Sequence, residues 1–130
     1  MTRPDWDSYY LGIAVAVAAR ADCTRRQVGA VVVRDHRIVG TGYNGAPSGV
    51  PGCLTAGACP RGRLSYDQLA ADSSYSNCVA VHAEANALLR AGFEASRGAV
   101  LYITDPPCHE CSRLIAAAGI ARVVTPDLEV

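Results

Sequence analysis

The sequence predicts a single α/β domain, residues 1–130, with three α/β/α layers around a central mixed sheet. Two observations carry this prediction. Helical and β-branched segments follow one another along the 130 residues in the order α-β-β-α-β-α-β. Half of the residues are hydrophobic and 18% are charged, which supports one core in a chain too short for two ordinary domains.

The first half of the chain predicts a helix and a hairpin. Residues 5–21 form the helix, which begins with capping aspartates, ends at Asp22 and is apolar on nearly every side, as is typical of a helix packed against a sheet. Two β-branched runs, residues 28–33 and 38–42, flank the polar residues 34–37 and therefore predict two antiparallel strands.

Residues from about 45 to 78 interrupt this regular pattern. Gly, Pro, Cys and Ser recur there without a clear period, and one helical turn is predicted around residues 66–71. We expect an irregular segment of this length to be functional or to be held in place by something other than a core of its own.

The second half of the chain predicts two more helices, each followed by a strand. Gly92 and Gly119 mark the helix ends, and Pro107 opens the second of these helices. The four predicted elements span residues 82–91, 99–104, 108–118 and 121–125.

Charge and hydropathy limit the partners of the protein. Twelve basic and twelve acidic residues give a net charge of zero, which argues against a nucleic-acid polymer. The apolar run from Leu11 to Ala19 is too short to span a membrane, and Asp5 and Asp7 precede it where a signal peptide carries positive charge. We therefore expect a cytoplasmic protein, in which six cysteines indicate metal binding or catalysis before disulfides.

Two helix starts carry residues typical of a catalytic metal. Cys108 and Cys111 are three residues apart, so both thiols face one side of the first helical turn, where the helix N-terminus stabilises thiolates. His82 supplies a third ligand and leaves the fourth position of a tetrahedral Zn²⁺ open, as catalysis requires. Glu84 is turned away from His82 on its helix, so we expect it to move protons rather than to bind the metal.

The pairing of H-x-E with P-C-x-x-C is a known signature of zinc-dependent nucleobase deaminases. Other interpretations exist for each half. Cys108 and Cys111 alone are compatible with a redox pair or a purely structural zinc site, beside which His82 and Glu84 would be ordinary polar residues. His109, between the two cysteines, is interpreted as a solvent-facing residue without a metal role.

Beyond this signature, five short segments resemble the deoxycytidylate (dCMP) deaminases of the cytidine deaminase superfamily. The resemblance runs from about residue 3 to residue 124, and Tyr-Asn-Gly-x-Pro together with His-Ala-Glu-x-Asn-Ala is more specific than the zinc signature. The segments are residues 3–7, 25–30, 42–47, 82–87 and 118–120.

This resemblance implies the cytidine-deaminase-like fold and the hydrolysis of dCMP to dUMP. A water activated by zinc would attack C4 of the cytosine ring, and Glu84 would carry the proton to N3 and then to the departing ammonia. Asn44 matches the residue whose side chain contacts the sugar, and the Ala83 backbone matches the one that meets the base edge. The resemblance also implies a homo-oligomer and a dCTP effector that acts through residues 43–47.

Four cysteines outside the catalytic pair suggest a second zinc. Some relatives carry a structural zinc near the positions of Cys23 and Cys53, and Cys59 and Cys78 would complete a site of four thiolates here. Such a site would hold the irregular segment in place. Buried free thiols and a labile disulfide are the alternatives.

Three other functions stay open at this point. Asp105 and Pro106 precede the cysteine motif where relatives have apolar or uncharged residues, so another cytosine nucleotide, nucleoside or metabolite is an alternative substrate. A tRNA adenosine deaminase would need a basic surface that the balanced charge does not promise. A non-catalytic zinc module is the alternative from another class, and Glu84 argues against it because a structural zinc needs no proton carrier.

Overall fold

A computed structural model of the chain describes residues 2–23, 26–46 and 81–126. The elements follow the predicted order, whereas the helical turn predicted at residues 66–71 lies outside the described residues. The elements are α1 (Trp6–Ala18), β1 (Gly29–Arg34), β2 (Arg37–Tyr43), α2 (Ala83–Ser96), β3 (Val100–Ile103), α3 (His109–Ala117) and β4 (Arg122–Val124).

The strands form a mixed sheet in the order β2-β1-β3-β4. β1 pairs antiparallel with β2 and with β3, while β3 and β4 run parallel because α3 connects them. Asp35 and His36 make the tight turn between β1 and β2 with φ angles of 51° and 59°, the left-handed geometry of a two-residue hairpin turn. The predicted hairpin and mixed sheet are confirmed.

Successive residues of β1 point to opposite faces of the sheet and build two cores. Val31 belongs to a cluster with Tyr10 of α1 on one face. Val32 belongs to a cluster with Ala87 of α2 and Ile115 of α3 on the other. The sheet therefore lies between α1 on one side and the α2–α3 pair on the other, which confirms the three-layer prediction.

Two glycines allow the helices to lie directly against the hairpin. A Cβ atom on Gly29 would collide with the backbone of α1 at Ala14, and one on Gly42 would collide with the backbone of α2 at Ala83. Because Ala83 is the first residue of α2, the lack of a side chain on Gly42 fixes where that helix begins.

Two predicted helix ends are wrong. Gly92 interrupts the second helix with a φ of 83°, yet the turns resume and α2 ends at Ser96, since glycine adopts this angle at little cost. α1 ends at Ala18 rather than at residue 21, because the N–H of Ala21 bonds the Ala18 carbonyl in a tighter turn. Among residues 2–23, 26–46 and 81–126, none of the helices has the length and apolar character that a membrane crossing requires.

A polar cluster ties α1 to the far strands of the sheet. The Arg122 guanidinium donates to both carboxylate oxygens of Asp7 at 2.6 and 3.2 Å, and the Tyr102 hydroxyl donates to Asp7 at 2.8 Å. The hydrogen bond from Arg122 lowers the pKa of Asp7. Burial, with the neighbouring Asp7 carboxylate, raises the pKa of Tyr102 to about 12, so both groups keep the protonation states that hold the cluster together.

Candidate active site

Three predicted metal ligands converge at the N-termini of α2 and α3. His82 is the residue before α2, Cys108 is the residue before α3, and Cys111 lies in the first turn of α3. The Nδ1 atom of His82 is 3.3 Å from the Cys111 Sγ and 3.4 Å from the Cys108 Sγ. All three donor atoms lie within 4.8 Å of one another.

These separations fit a tetrahedral zinc. Bonds of about 2.3 Å to sulfur and about 2.05 Å to nitrogen place the two donors about 3.6 Å apart at a tetrahedral angle, close to the observed 3.3 and 3.4 Å. One imidazole and two thiolates are also ligands that zinc prefers, and three protein ligands are typical of a catalytic site. His82, Cys108 and Cys111 therefore suit the metal.

The local sequence explains why the sulfur atoms face inward. Cys108 takes the capping position of α3, and its Sγ accepts a hydrogen bond of 3.4 Å from the backbone N–H of Cys111. That bond and the partial positive charge at the helix N-terminus both favour a thiolate. His82 occupies the corresponding position of α2 without a side-chain capping bond, so its imidazole is directed at the sulfur atoms instead.

Glu84 lies beside this triad without joining it. Its side chain is buried, with 4% of its surface exposed, and it makes a hydrogen bond with Cys111. The group of donors that can hold a metal contains His82 and the two cysteines but not Glu84. The structure therefore places a carboxylate next to the metal position and out of the ligand set, as the sequence predicts.

Burial controls the protonation of the acidic groups here. Desolvation raises the pKa of Glu84, against smaller lowering effects from a backbone hydrogen bond, His82, Cys111 and Arg26. Burial and then the Glu84 charge raise the pKa of the Cys111 thiol. A divalent cation between the ligands reverses the balance at the thiol, because it attracts the thiolate more strongly than burial penalises it.

The structure uses the side chain of Asn44, the predicted sugar contact, to brace the edge of the site. Asn44 is buried, its Oδ1 accepts from the Val28 N–H at 2.8 Å, and its Nδ2 donates to the Arg26 carbonyl at 2.9 Å. Ala83, the predicted base contact, is also buried at the start of α2. Both lie on segments that reach the metal ligands.

Asn86 is a structural member of the site to which the sequence analysis assigns no role. Its Nδ2 donates to the Tyr43 carbonyl at 2.9 Å and to the Val81 carbonyl at 3.3 Å. Val81 in turn exchanges two backbone hydrogen bonds with Gly45. Asn86 thereby joins the loop after β2 to the segment that leads into His82. A lone amide on the inner side of an otherwise apolar helix is the signal that indicates such a brace.

Of the second predicted cluster, only Cys23 falls within the described residues, where it is half-buried near the end of the α1 connection. Cys53, Cys59 and Cys78 lie outside the described residues. His109 is exposed, which agrees with its interpretation as a residue without a metal role.

Comparisons with known proteins give the same assignment as the geometry. The family of the cytidine and deoxycytidylate deaminase zinc-binding region matches residues 4–126. A deoxycytidylate deaminase of Mycobacterium phage D29 is 60% identical over 130 residues, which cover 97% of this chain and 98% of the phage protein. One from Schizosaccharomyces pombe is 42% identical over 94% of this chain, which spans 37% of that longer protein.

Solved structures extend the comparison to the fold. The dCMP deaminase from the cyanophage S-TIM5, solved in complex with dCMP and dUMP, has a TM-score of 0.71 and 29% identity over 96% of this chain and 83% of its own. Acinetobacter baumannii RibD, 24% identical with a TM-score of 0.61 over 92% of this chain and 27% of its own, shares the fold.

A three-layer domain with one imidazole and two thiols converging at two helix starts is the architecture of a zinc-dependent deaminase. The chain belongs to the cytidine and deoxycytidylate deaminase family. Within that family, the relatives from Mycobacterium phage D29 and S. pombe are deoxycytidylate deaminases.

Proposed function

We propose that this chain hydrolyses dCMP to dUMP and ammonia. The observation that carries the proposal is the buried Glu84 carboxylate beside three zinc ligands whose donor atoms lie within 4.8 Å. The phage D29 relative, matched over nearly its whole length, and the cyanophage structure with dCMP and dUMP support the choice of substrate.

Glu84 is the proton carrier of this reaction. Zinc, when bound, acts as a Lewis acid that makes water a nucleophile near neutral pH. Glu84 accepts the proton that the attacking water loses and delivers it to N3 as the C4–O bond forms. It then transfers the second water proton to the amino group, so that the C4–N bond breaks and ammonia leaves. Its burial excludes bulk water as a competing proton donor.

Two further residues define the substrate pocket in this proposal. The Ala83 backbone contacts the edge of the base, because a small residue at the start of α2 lets the ring approach the helix. The remaining hydrogen-bonding capacity of the Asn44 amide serves the sugar, since each amide oxygen accepts two hydrogen bonds and each amide nitrogen donates two. The braces to Arg26 and Val28 hold that amide in one orientation.

A substrate panel tests the function. Zinc-loaded protein is incubated with dCMP, CMP, deoxycytidine and cytosine, and turnover is followed by ultraviolet absorbance. We expect dCMP to react fastest, and to react far more slowly with the Glu84→Gln variant although its zinc content is unchanged. Glu94→Gln, an exposed glutamate on the same helix, is the matched control. Absence of turnover with every pyrimidine, or preference for another compound, would contradict the proposal.

The four remaining cysteines form a second, structural zinc site in this proposal, with Cys23, Cys53, Cys59 and Cys78 as ligands. The site would pin the segment at residues 45–78 to the rest of one domain that spans residues 1–130. Metal analysis tests it: we expect two zinc ions per chain in the wild type and one in Cys53→Ser. One zinc per chain in both proteins would contradict it.

We further propose a cytoplasmic homo-oligomer that responds to dCTP. Leu89 and Phe93 on α2 and Leu114 on α3 expose 75%, 59% and 41% of their surfaces, more apolar area than solvent contact favours. Light scattering at several concentrations tests the oligomer, which a monomeric mass would exclude. Initial rates with and without dCTP test the effector, and an unchanged rate curve would exclude it. Fractionation of expressing cells tests the location.

A further inference from the structure

An ion pair closes one edge of the site. Arg26 lies before β1 and Asp105 follows β3, and their side chains meet with the Nη2 and Oδ2 atoms 2.7 Å apart. Between this pair and the strands, Thr104 and Gly29 exchange hydrogen bonds of 3.0 and 3.1 Å. The pair therefore ends the β1–β3 ladder at the sheet edge where α3 begins, three residues before Cys108.

The backbone beneath Arg26 is held rigidly while its side chain reaches outward. The buried Asn44 amide bonds the Arg26 carbonyl at 2.9 Å and the Val28 N–H at 2.8 Å. The side chain of Arg26 is 57% exposed and that of Asp105 is 40% exposed. The rotamers of a long arginine side chain are its main remaining freedom, and a carboxylate at 2.7 Å restricts them.

The charges of the pair act on the interior of the site. The positive charge of Arg26 is among the effects that lower the pKa of Glu84, so the guanidinium lies within electrostatic range of the reaction centre. An isolated carboxylate at position 105 would repel an anionic substrate, and pairing with Arg26 removes that penalty. A guanidinium has five N–H donors in a planar fork, which allows it to serve a carboxylate and a phosphate oxygen together.

We propose that Asp105 is a positioning residue that orients Arg26 at the mouth of the site, where the guanidinium binds the anionic phosphate of the nucleotide substrate. The inference rests on the proposed function and deepens it. It assigns a role to the aspartate at which this chain departs from its relatives, and it makes the enzyme selective for nucleoside monophosphates over uncharged nucleosides.

Kinetics with a charged and an uncharged substrate test this role. We expect Asp105→Asn to raise the KM for dCMP about fivefold with an unchanged kcat, the size of effect an exposed ion pair gives. Arg26→Gln raises it about tenfold or more, since a charge-assisted contact to phosphate is lost. Neither change alters kcat/KM for deoxycytidine. Asp35→Asn, which removes an exposed carboxylate from the hairpin turn, is the matched control and leaves both substrates unaffected.

A double-mutant cycle separates positioning from a purely structural tie. If Asp105 acts through Arg26, adding Asp105→Asn to Arg26→Gln leaves the KM for dCMP where the single Arg26→Gln variant has it. The proposal is overturned if the two effects multiply, if dCMP and deoxycytidine lose equally, or if Asp105→Asn lowers the KM for dCMP because a repelling charge has gone.

Calorimetric titration with dUMP and deoxyuridine makes the result independent of turnover. Weaker dUMP binding in Arg26→Gln, with unchanged deoxyuridine binding, supports the phosphate contact even for a preparation that converts no pyrimidine, a failure that would count against the proposed function alone. Equal dUMP affinity in the wild type and in Arg26→Gln overturns the phosphate contact even where dCMP is converted.

Discussion

Asp7 and Glu84 are two carboxylates on opposite faces of one sheet, and their surroundings give them opposite properties. Asp7 on the α1 face receives hydrogen bonds from Arg122 and Tyr102, and its pKa is lowered. Glu84 on the α2–α3 face is buried, and desolvation raises its pKa. A carboxylate that is fully partnered stabilises a structure, whereas one that is desolvated stays ready to exchange a proton.

The glycines repeat this contrast between the two faces. Gly29 lets α1 reach the sheet, where packing is the only consequence visible in the described residues, and Gly42 lets α2 reach it, where packing also places His82. The α1 face therefore serves stability. The α2–α3 face combines stability with the geometry that the metal and the substrate require.

Replacing Glu84 by Gln tests the chemical face and has the largest expected effect. We expect kcat for dCMP to fall by about 10³-fold or more, since general acid and base steps are lost together. The thermal midpoint should stay equal or rise, because an uncharged amide costs less to bury than a carboxylate. A fall in stability with retained activity would show that Glu84 is structural and would break the comparison.

Replacing Gly29 or Gly42 by Ala compares the packing of the two faces. Each new Cβ meets helix backbone, so we expect both variants to lose about 3 kcal/mol of unfolding free energy in denaturant titrations. Gly42→Ala should additionally lower the zinc content and kcat of the protein that remains folded, because α2 carries His82 and Glu84. Equal zinc content in the two folded variants would contradict this distinction.

Replacing Asp7 by Asn tests the structural face and has a smaller effect. The ion pair with Arg122 is about one-third exposed on each side, so we expect a loss of about 1 kcal/mol or less at pH 7. Tyr102 keeps an acceptor in the amide oxygen. Activity toward dCMP, measured where both proteins are folded, should not change, and a lowered kcat would show that the α1 face contributes to catalysis.

The pH dependence of that loss gives the smallest and most specific effect. Because the pKa of Asp7 in the folded protein lies below its ordinary value of 3.8, its contribution is fully present above that value and disappears as the pH falls through the folded pKa. The stability difference between wild type and Asp7→Asn should therefore be constant from pH 7 to pH 5 and should shrink at pH 3. A constant difference down to pH 3 would contradict the charge-based account.

Much of the fold was predictable because local chemistry marks it. The aspartate before α1, Pro107 and the β-branched runs of the hairpin act within a few residues, so the order of elements follows from them. Gly92 was misinterpreted because glycine is compatible with a helix end and with a kink, and only the continuation to the buried Ser96 distinguishes them.

The sequence by itself determined the layer order, the three zinc ligands and the separate place of Glu84, because each depends on spacing within one helical turn. Only the tertiary structure decided which distant residues meet: Asp7 with Arg122, Asn44 with Arg26, and Arg26 with Asp105. Spacing along a chain fixes neighbours on one element, whereas contacts across 18 to 115 residues depend on how helices and strands pack.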